Sequence, residues 1–184
     1  MAEKYCAFLR GVNVNGISIK MKDLQAAFVE MGFTDVQTIL ATGNVVFTIP
    51  ERMSYGQDLN SFIEKELSRQ FQYEAHVFLR SGEEIQKVII AAQATCVPKE
   101  CHNYLLLLDD NELLMELRVL FDSLPHLPEE LLMLFECGAF WIVPVGSTLA
   151  SEFGSKVLGS KKFKSILTSR NMNTILKIGK AMFQ

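Results

Sequence analysis

The residues with the clearest chemical use are arginines set among glycines and asparagines. Arg10-Gly11-Val12-Asn13-Val14-Asn15-Gly16 follows a short apolar run, Tyr5 to Leu9. Arg10 shares a strand face with Phe8 and stands at the strand's end, where Gly11 and Gly16 let the backbone turn and Asn13 offers an amide. A strand-to-helix loop of this kind resembles an anion cradle. No Gly-Lys-Ser/Thr follows it, so it is not a phosphate-binding P-loop, and its GxNxxG spacing matches no dinucleotide fingerprint. The competing reading is structural, with Arg10 paired to a carboxylate and Asn13 capping the next helix or bonding its own loop.

A second group, Thr168-Ser169-Arg170-Asn171-Met172-Asn173-Thr174, places Arg170 at a helix start capped by Ser169 or Asn171. Free N–H groups at a helix N-terminus attract anions, and an arginine adds a bidentate fork. Alternatively Asn and Thr only cap the last helix, and Arg170 locks it to the body. The expected ligand-binding residues are therefore Arg10, Asn13, Arg170, Asn171 and Asn173, and the expected ligand is anionic and phosphate-bearing, a nucleotide or RNA. Against RNA, the strands lack the aromatic signature that sheet-surface RNA binders carry. An enzyme holding a small anionic metabolite with the same arginines, and using Lys177 or a carboxylate as acid or base, is the alternative, beside a purely structural or oligomeric role.

Classical catalytic patterns are missing from the sequence. His76, His102 and His126 lie apart, and neither GxSxG nor HExxH occurs. Cys6, Cys96, Cys101 and Cys137 form no CxxC pair and read as free thiols. Cys96, Cys101 and His102 stand close in sequence without a second ligand cluster, so neither a metal nor a cofactor is expected. Thr42-Gly43-Asn44 reads as a turn in which Gly43 and Asn44 tolerate positive φ. The first and third strands are expected to be parallel neighbours, which puts this turn and the Arg10 loop at opposite ends of the sheet, about 15 Å apart, where only the other subdomain or a second subunit brings them together.

These residues need elements to hold them. The chain has 184 residues, 49% hydrophobic and 21% charged, the balance of a globular protein able to bury a core. Its apolar runs, such as Tyr104 to Leu108, are strand-sized, far below the roughly 18–20 residues of a membrane span. The run before Arg10 is too short for the core of a secretion signal, so a soluble cytoplasmic protein without membrane association is expected. Tyr5 to Leu9 reads as a strand, and Met21, Leu24, Phe28 and Met31 mark one face of a helix that Gly32 ends. Val36–Leu40 and Val45–Ile49 form a hairpin. A second helix carries Leu59 to Phe71, opened by Ser54 and Gln57, and His76 to Leu79 returns as a strand. Ser81 and Glu84 form a capping box before Ile85, Val88 and Ile89. The grammar then restarts with strand Asn103 to Leu108, a helix begun by Asp109-Asp110, and strands Leu131–Glu136 and Ala139–Val145 around a Cys137-Gly138 turn.

The repeated order predicts an α+β fold of two ferredoxin-like subdomains, an alpha-beta plait in each, with antiparallel sheets. The division expected is residues 1–80, 81–150, and a basic helical segment 151–184 broken near Gly159 and Ser169. Residues 1–150 hold 11 Lys+Arg against 20 Asp+Glu, a charge of −9, while the last 34 residues carry +6. Within that tail, Lys161-Lys162-Phe163-Lys164 and Arg170 are read either as facing an anionic ligand, such as phosphate or RNA backbone, or as part of a docked segment. Opposite charges, with Ile175, Leu176, Ile178 and Met182, dock such a tail on the body.

Three stretches together, Tyr5-x-Ala7-Phe8-Leu9-Arg10-Gly11-Val12-Asn13-Val14, Thr42-Gly43-Asn44-Val45-Val46-Phe47 and Thr168-Ser169-Arg170-Asn171-x-Asn173-Thr174, resemble domain-of-unknown-function family 1697 over nearly the whole chain. What the resemblance implies is a cytoplasmic, mostly bacterial protein of two ferredoxin-like subdomains, and no particular activity. Asn15 stands where that family commonly has a second glycine, Thr42 where it has serine, and Met172 where it often has tryptophan.

Overall fold

The computed structural model describes residues 3–12, 18–51, 58–108, 110–136, 138–160, 162–163 and 166–184. Asn13, Ser54, Gln57, Asp109, Cys137, Lys161 and Lys164 lie outside the described residues. In chain order the elements are β1 (Glu3–Arg10), α1 (Met21–Glu30), β2 (Thr34–Ile39), β3 (Asn44–Ile49), α2 (Leu59–Phe71), β4 (His76–Ser81) and α3 (Gly82–Ala94). The pattern then recurs as β5 (Cys101–Leu108), α4 (Asn111–Asp122), β6 (Leu131–Phe135), β7 (Gly138–Pro144), α5 (Glu152–Leu158), β8 (Leu167–Asn171) and α6 (Met172–Phe183). The strand orders, β2-β3-β1-β4 and β6-β7-β5-β8, are the same, and every pairing is antiparallel. Each half is thus a complete βαββαβ ferredoxin-like unit followed by one more helix.

Compact units form from Met1–Gln86 with Leu176–Gln184, and from Lys87–Ile175. One difference from the sequence reading lies in the tail. Leu167–Asn171, expected as a break between helices near Ser169, is a strand that pairs with β5 from Leu108↔Leu167 to Tyr104↔Asn171. Its core-facing Leu167 is fully buried and joins the cluster of the second unit, so edge pairing decides the structure of a segment rich in Thr, Ser and Asn.

In the first unit Ala7, Leu9, Val45, Phe47 and Val77 face Leu24, Ala27, Phe28, Ile63 and Leu67 of the two helices. Phe28, Phe33 and Phe47 meet at centroid distances of 4.5–5.8 Å. The opposite face of the sheet, with Cys6, Phe8, Val46 and Phe78, is buried as well. Several caps follow the sequence. Ser81 N–H donates to Glu84 Oε2 at 2.8 Å while Glu84 N–H donates to Ser81 Oγ at 3.3 Å, the reciprocal capping box expected. Asp110 Oδ1 accepts from Glu112 N–H at 2.8 Å. Helix α2 departs from the sequence reading: its cap is Asp58, whose side chain accepts from Ser61 N–H at 3.3 Å, and not the Ser54 and Gln57 pair expected to open it.

The second core contains Leu106, Leu117, Phe121, Trp141, Phe153 and Val157. Within it Glu130, only 4% exposed, accepts from Trp141 Nε1 at 2.9 Å, Ser151 Oγ at 2.6 Å and Leu127 N–H at 3.0 Å. Three donors offset the cost of taking a carboxylate out of water.

Tyr73 packs against the first core, and its buried hydroxyl has no hydrogen-bond partner among the described residues. Burial first, and then the negative charge of Glu64, pushes its ionisation up to about 12. The folded state therefore favours the neutral phenol. This contribution is complete below the unfolded value near 10 and is lost as pH rises toward 12. Alkaline denaturation of Tyr73→Phe, followed beside phenolate absorbance, is expected to start at higher pH than in the wild type. An unchanged alkaline limb refutes the assignment. At neutral pH the substitution removes an unpaired hydroxyl and costs less than about 1 kcal/mol.

Candidate functional site

At the end of β1, Arg10 is followed by Gly11 at φ +76° and the buried Val12. The β2–β3 hairpin reverses the chain, so β3 runs antiparallel to β1 and its start adjoins that end. Phe8 pairs with Asn44, and Leu9 N–H donates to Gly43 C=O at 2.7 Å. The 15 Å separation expected from parallel strands is overturned: the two sequence motifs of the first unit share one sheet end. Gly43 sits at φ +68°, and a Cβ there would stand 3.0 Å from Leu9 Cβ and 3.2 Å from Val12 Cβ. Both strain and space therefore call for glycine. The positive φ angles of this turn fall on Leu40 and Gly43 rather than on Gly43 and Asn44. Asn44 is instead fully buried, and its Nδ2 donates to Ile39 C=O at 2.9 Å and Thr42 Oγ1 at 2.8 Å. The buried Asn44 amide thus braces the turn through Ile39 and the exposed Thr42.

Arg10 faces the same side of the sheet as Phe8 and stands opposite His76 of β4. It is half-buried, and burial lowers its pKa. A partly desolvated guanidinium remains a cation, and an anion gains more from it than from one in open water. A Cβ on Gly11 would meet nothing within 4 Å among the described residues. His76 Nε2 lies 3.8 Å from Glu74 Oε1.

The other arginine belongs to the second unit. Arg170 lies in β8 opposite Leu105, and its Nη1 donates to Thr168 Oγ1 at 2.8 Å and Ser169 C=O at 2.9 Å. Of the two caps considered, Asn171 fills the role, its Oδ1 accepting from Asn173 N–H at 2.9 Å, while Ser169 is a strand residue. Asn173 is exposed. The first unit carries the counterpart: Arg80 Nη1 donates to the preceding Leu79 C=O at 2.7 Å, and the next residue, Ser81, caps α3. An arginine one residue before the cap therefore recurs at both strand-to-helix junctions. Sequence reasoning missed Arg80, because Leu79-Arg80-Ser81 and Ser169-Arg170-Asn171 share only the arginine.

Among the described residues no group of three or more His, Cys, Asp and Glu is placed to hold a metal ion. No helix among them is long and apolar enough to cross a membrane. Cys101 Sγ lies 3.6 Å from Glu129 Oε2, and Cys6 is buried.

A solved structure of a conserved bacterial protein from Streptococcus pneumoniae superposes with a TM-score of 0.78 at 21% identity, covering 99% of each chain. Such identity speaks to the fold alone, and it supports the paired-unit architecture. No curated protein matches the chain. Residues 2–129 match the family described as "Protein of unknown function (DUF1697)". That span contains both motifs meeting at the end of β1 and stops short of Arg170. With well over half its length matched, including the Arg10 loop and the Thr42-Gly43-Asn44 turn, the chain belongs to the DUF1697 family.

Proposed function

We propose that the first unit binds an anionic, phosphate-bearing ligand where the Arg10 loop meets the Thr42-Gly43-Asn44 turn. The observation that carries the reading is the junction itself. The 2.7 Å bond from Leu9 N–H to Gly43 C=O fixes the two loops against each other beside a half-buried guanidinium. A fixed frame lowers the ordering cost of binding, and glycine at position 11 leaves the backbone approachable. Asn13, on the same loop, supplies the amide in this reading. Nucleotides and RNA backbone are the candidate ligands. Arg170 and Asn171 serve a different purpose, since their bonds to Thr168, Ser169 and Asn173 hold the β8–α6 junction, as Arg80 and Ser81 hold β4–α3.

Ligand-induced thermal shifts test this with inorganic phosphate, nucleotides and short RNAs. Arg10→Lys keeps the charge and loses the fork. It is expected to abolish most of the shift while the free protein melts near the wild-type temperature, since a ligand bound only by the native state raises apparent stability. Arg170→Lys is expected to lower the melting temperature and keep the ligand shift. Absence of a shift with every anion, or a destabilised Arg10→Lys variant with its shift intact, overturns the proposal.

A further inference from the structure

β6 is one of the two outer strands of the second sheet, and its residues Leu131-Leu132-Met133-Leu134-Phe135 include no charge, proline or glycine. An edge of this composition templates pairing with another chain unless something blunts it. Leu132 and Leu134 turn toward the core, whereas Leu131 is 48% exposed and Met133 42% on the opposite face.

The register fixes which backbone groups look outward. Phe135 pairs with Gly138 at the turn, Met133 with Phe140 and Leu131 with Ile142. In a hairpin closed over two residues, the closing pair exchanges hydrogen bonds and every second pair beyond it does the same. Leu132 and Leu134 therefore direct their N–H and C=O groups to the open side. One of those carbonyls is occupied: Arg118 Nη1, reaching from α4, donates to Leu132 C=O at 3.0 Å. Asp122 anchors the same guanidinium through Nε–Oδ2 at 2.9 Å and Nη2–Oδ1 at 2.7 Å, and Phe121 lies beneath it.

We infer that β6 is a pairing surface for a second copy of this chain, and that Arg118 is the guard keeping it closed. An antiparallel β6–β6 pair about a two-fold axis at Met133 sets Leu132 opposite Leu134 of the other copy. Both are outward-facing, so the ladder is self-complementary. Met133 then lies beside its mate and Leu131 beside Phe135, with no like charges opposed within the strand. The Leu132 carbonyl would have to accept from the other copy's backbone, and it is the one Arg118 holds. The first unit protects β2 similarly, with Gln25 Nε2 donating to Val36 C=O at 2.7 Å. There, however, Asp35 and a register irregularity between Thr34 and Gln37 already spoil a flat edge. β6 is regular and uncharged, which leaves the guanidinium as its barrier.

Arg118→Met keeps an aliphatic stem over Phe121 and removes the donor. Light scattering over a concentration series is expected to show its mass rising from the wild-type value toward twice that value. Adding Met133→Lys sets two ammonium groups together on the axis and is expected to restore the wild-type mass. If folded Arg118→Met keeps the wild-type mass at every concentration, the inference fails; association that Met133→Lys does not reverse also overturns it. Should Arg118→Met not fold, Asp122→Asn loosens the guard while keeping its charge, and the same two readings apply to it.

Discussion

A chain cut after Ser160 is expected not to reach the native state. The cut removes β8 and α6, and with them Leu167, Ile175 and Ile178, all fully buried, and Met182, 2% exposed. At about 1.5–3 kcal/mol for each buried side chain, their loss alone is roughly 6–12 kcal/mol. Whole domains are stable by only about 5–15 kcal/mol. Deletion also strips β5 of one neighbour along Tyr104–Leu108, and removes the Met182 carbonyl that accepts from Lys4 Nζ at 2.8 Å. Charge is a lesser part of the attachment. Lys177 and Lys180 are exposed, and Lys162–Glu116, the tail-to-body ion pair seen among the described residues beyond the cut, is a surface pair. Replacing Lys177 and Lys180 by Gln is therefore expected to move stability by less than about 0.5 kcal/mol each. Far-UV circular dichroism and denaturant midpoints distinguish the cases. A truncated chain with the wild-type midpoint would make the tail a free arm.

The reason this effect exceeds what charge patterning suggests is the strand at Leu167–Asn171. Helices were legible wherever apolar residues kept a spacing of three and four, as at Leu24 and Phe28 or Leu114, Leu117 and Phe121, because a helix carries its pattern within itself. β8 is five residues long, and only Leu167 enters the core cluster from it. Its Thr, Ser and Asn advertise a cap, and Asn171 does serve as one. What makes the rest a strand is the row of Leu105, Leu106 and Leu107 waiting beside it, a long-range fact no local window contains.

The candidate site was legible in its parts and not in its assembly. The Arg10 loop and the Thr42-Gly43-Asn44 turn both stand out as residue types, yet an error in strand direction set them about 15 Å apart. A hairpin reverses the chain, so β3, following β2, must oppose β1 in this order of elements, and the turn then arrives beside Leu9. Asn44 shows the limit of residue type as evidence. An asparagine after a glycine suggests positive φ, whereas burial at 0% exposure and two side-chain bonds give it an interior role.

The other large effect is expected at Gly154, where a single methyl group should destabilise the second unit by about 3 kcal/mol or more, the upper end of what overpacking costs. Gly154 lies inside α5, and a Cβ there would come 2.0 Å from the Thr148 carbonyl oxygen and 2.7 Å from Trp141 Cη2. Neither neighbour is a flexible side-chain end. Helix α5 must therefore shift, and the shift propagates: Gly154 N–H donates to Ser151 Oγ at 2.9 Å, and Ser151 Oγ donates to Glu130 Oε1 at 2.6 Å. Moving the helix weakens the cap and leaves a buried carboxylate short of a donor, which costs about 1–3 kcal/mol. Ser155→Ala, one residue along on the exposed side, is the control and is expected to stay within about 0.5 kcal/mol of the wild type. Trimming the ring decides which contact dominates. Trp141→Phe combined with Gly154→Ala relieves the 2.7 Å contact and leaves the 2.0 Å one, so no recovery of the urea midpoint relative to Trp141→Phe alone is expected. Full recovery would place the constraint on the indole, and a Gly154→Ala midpoint equal to wild type would show that the Thr148 backbone yields freely.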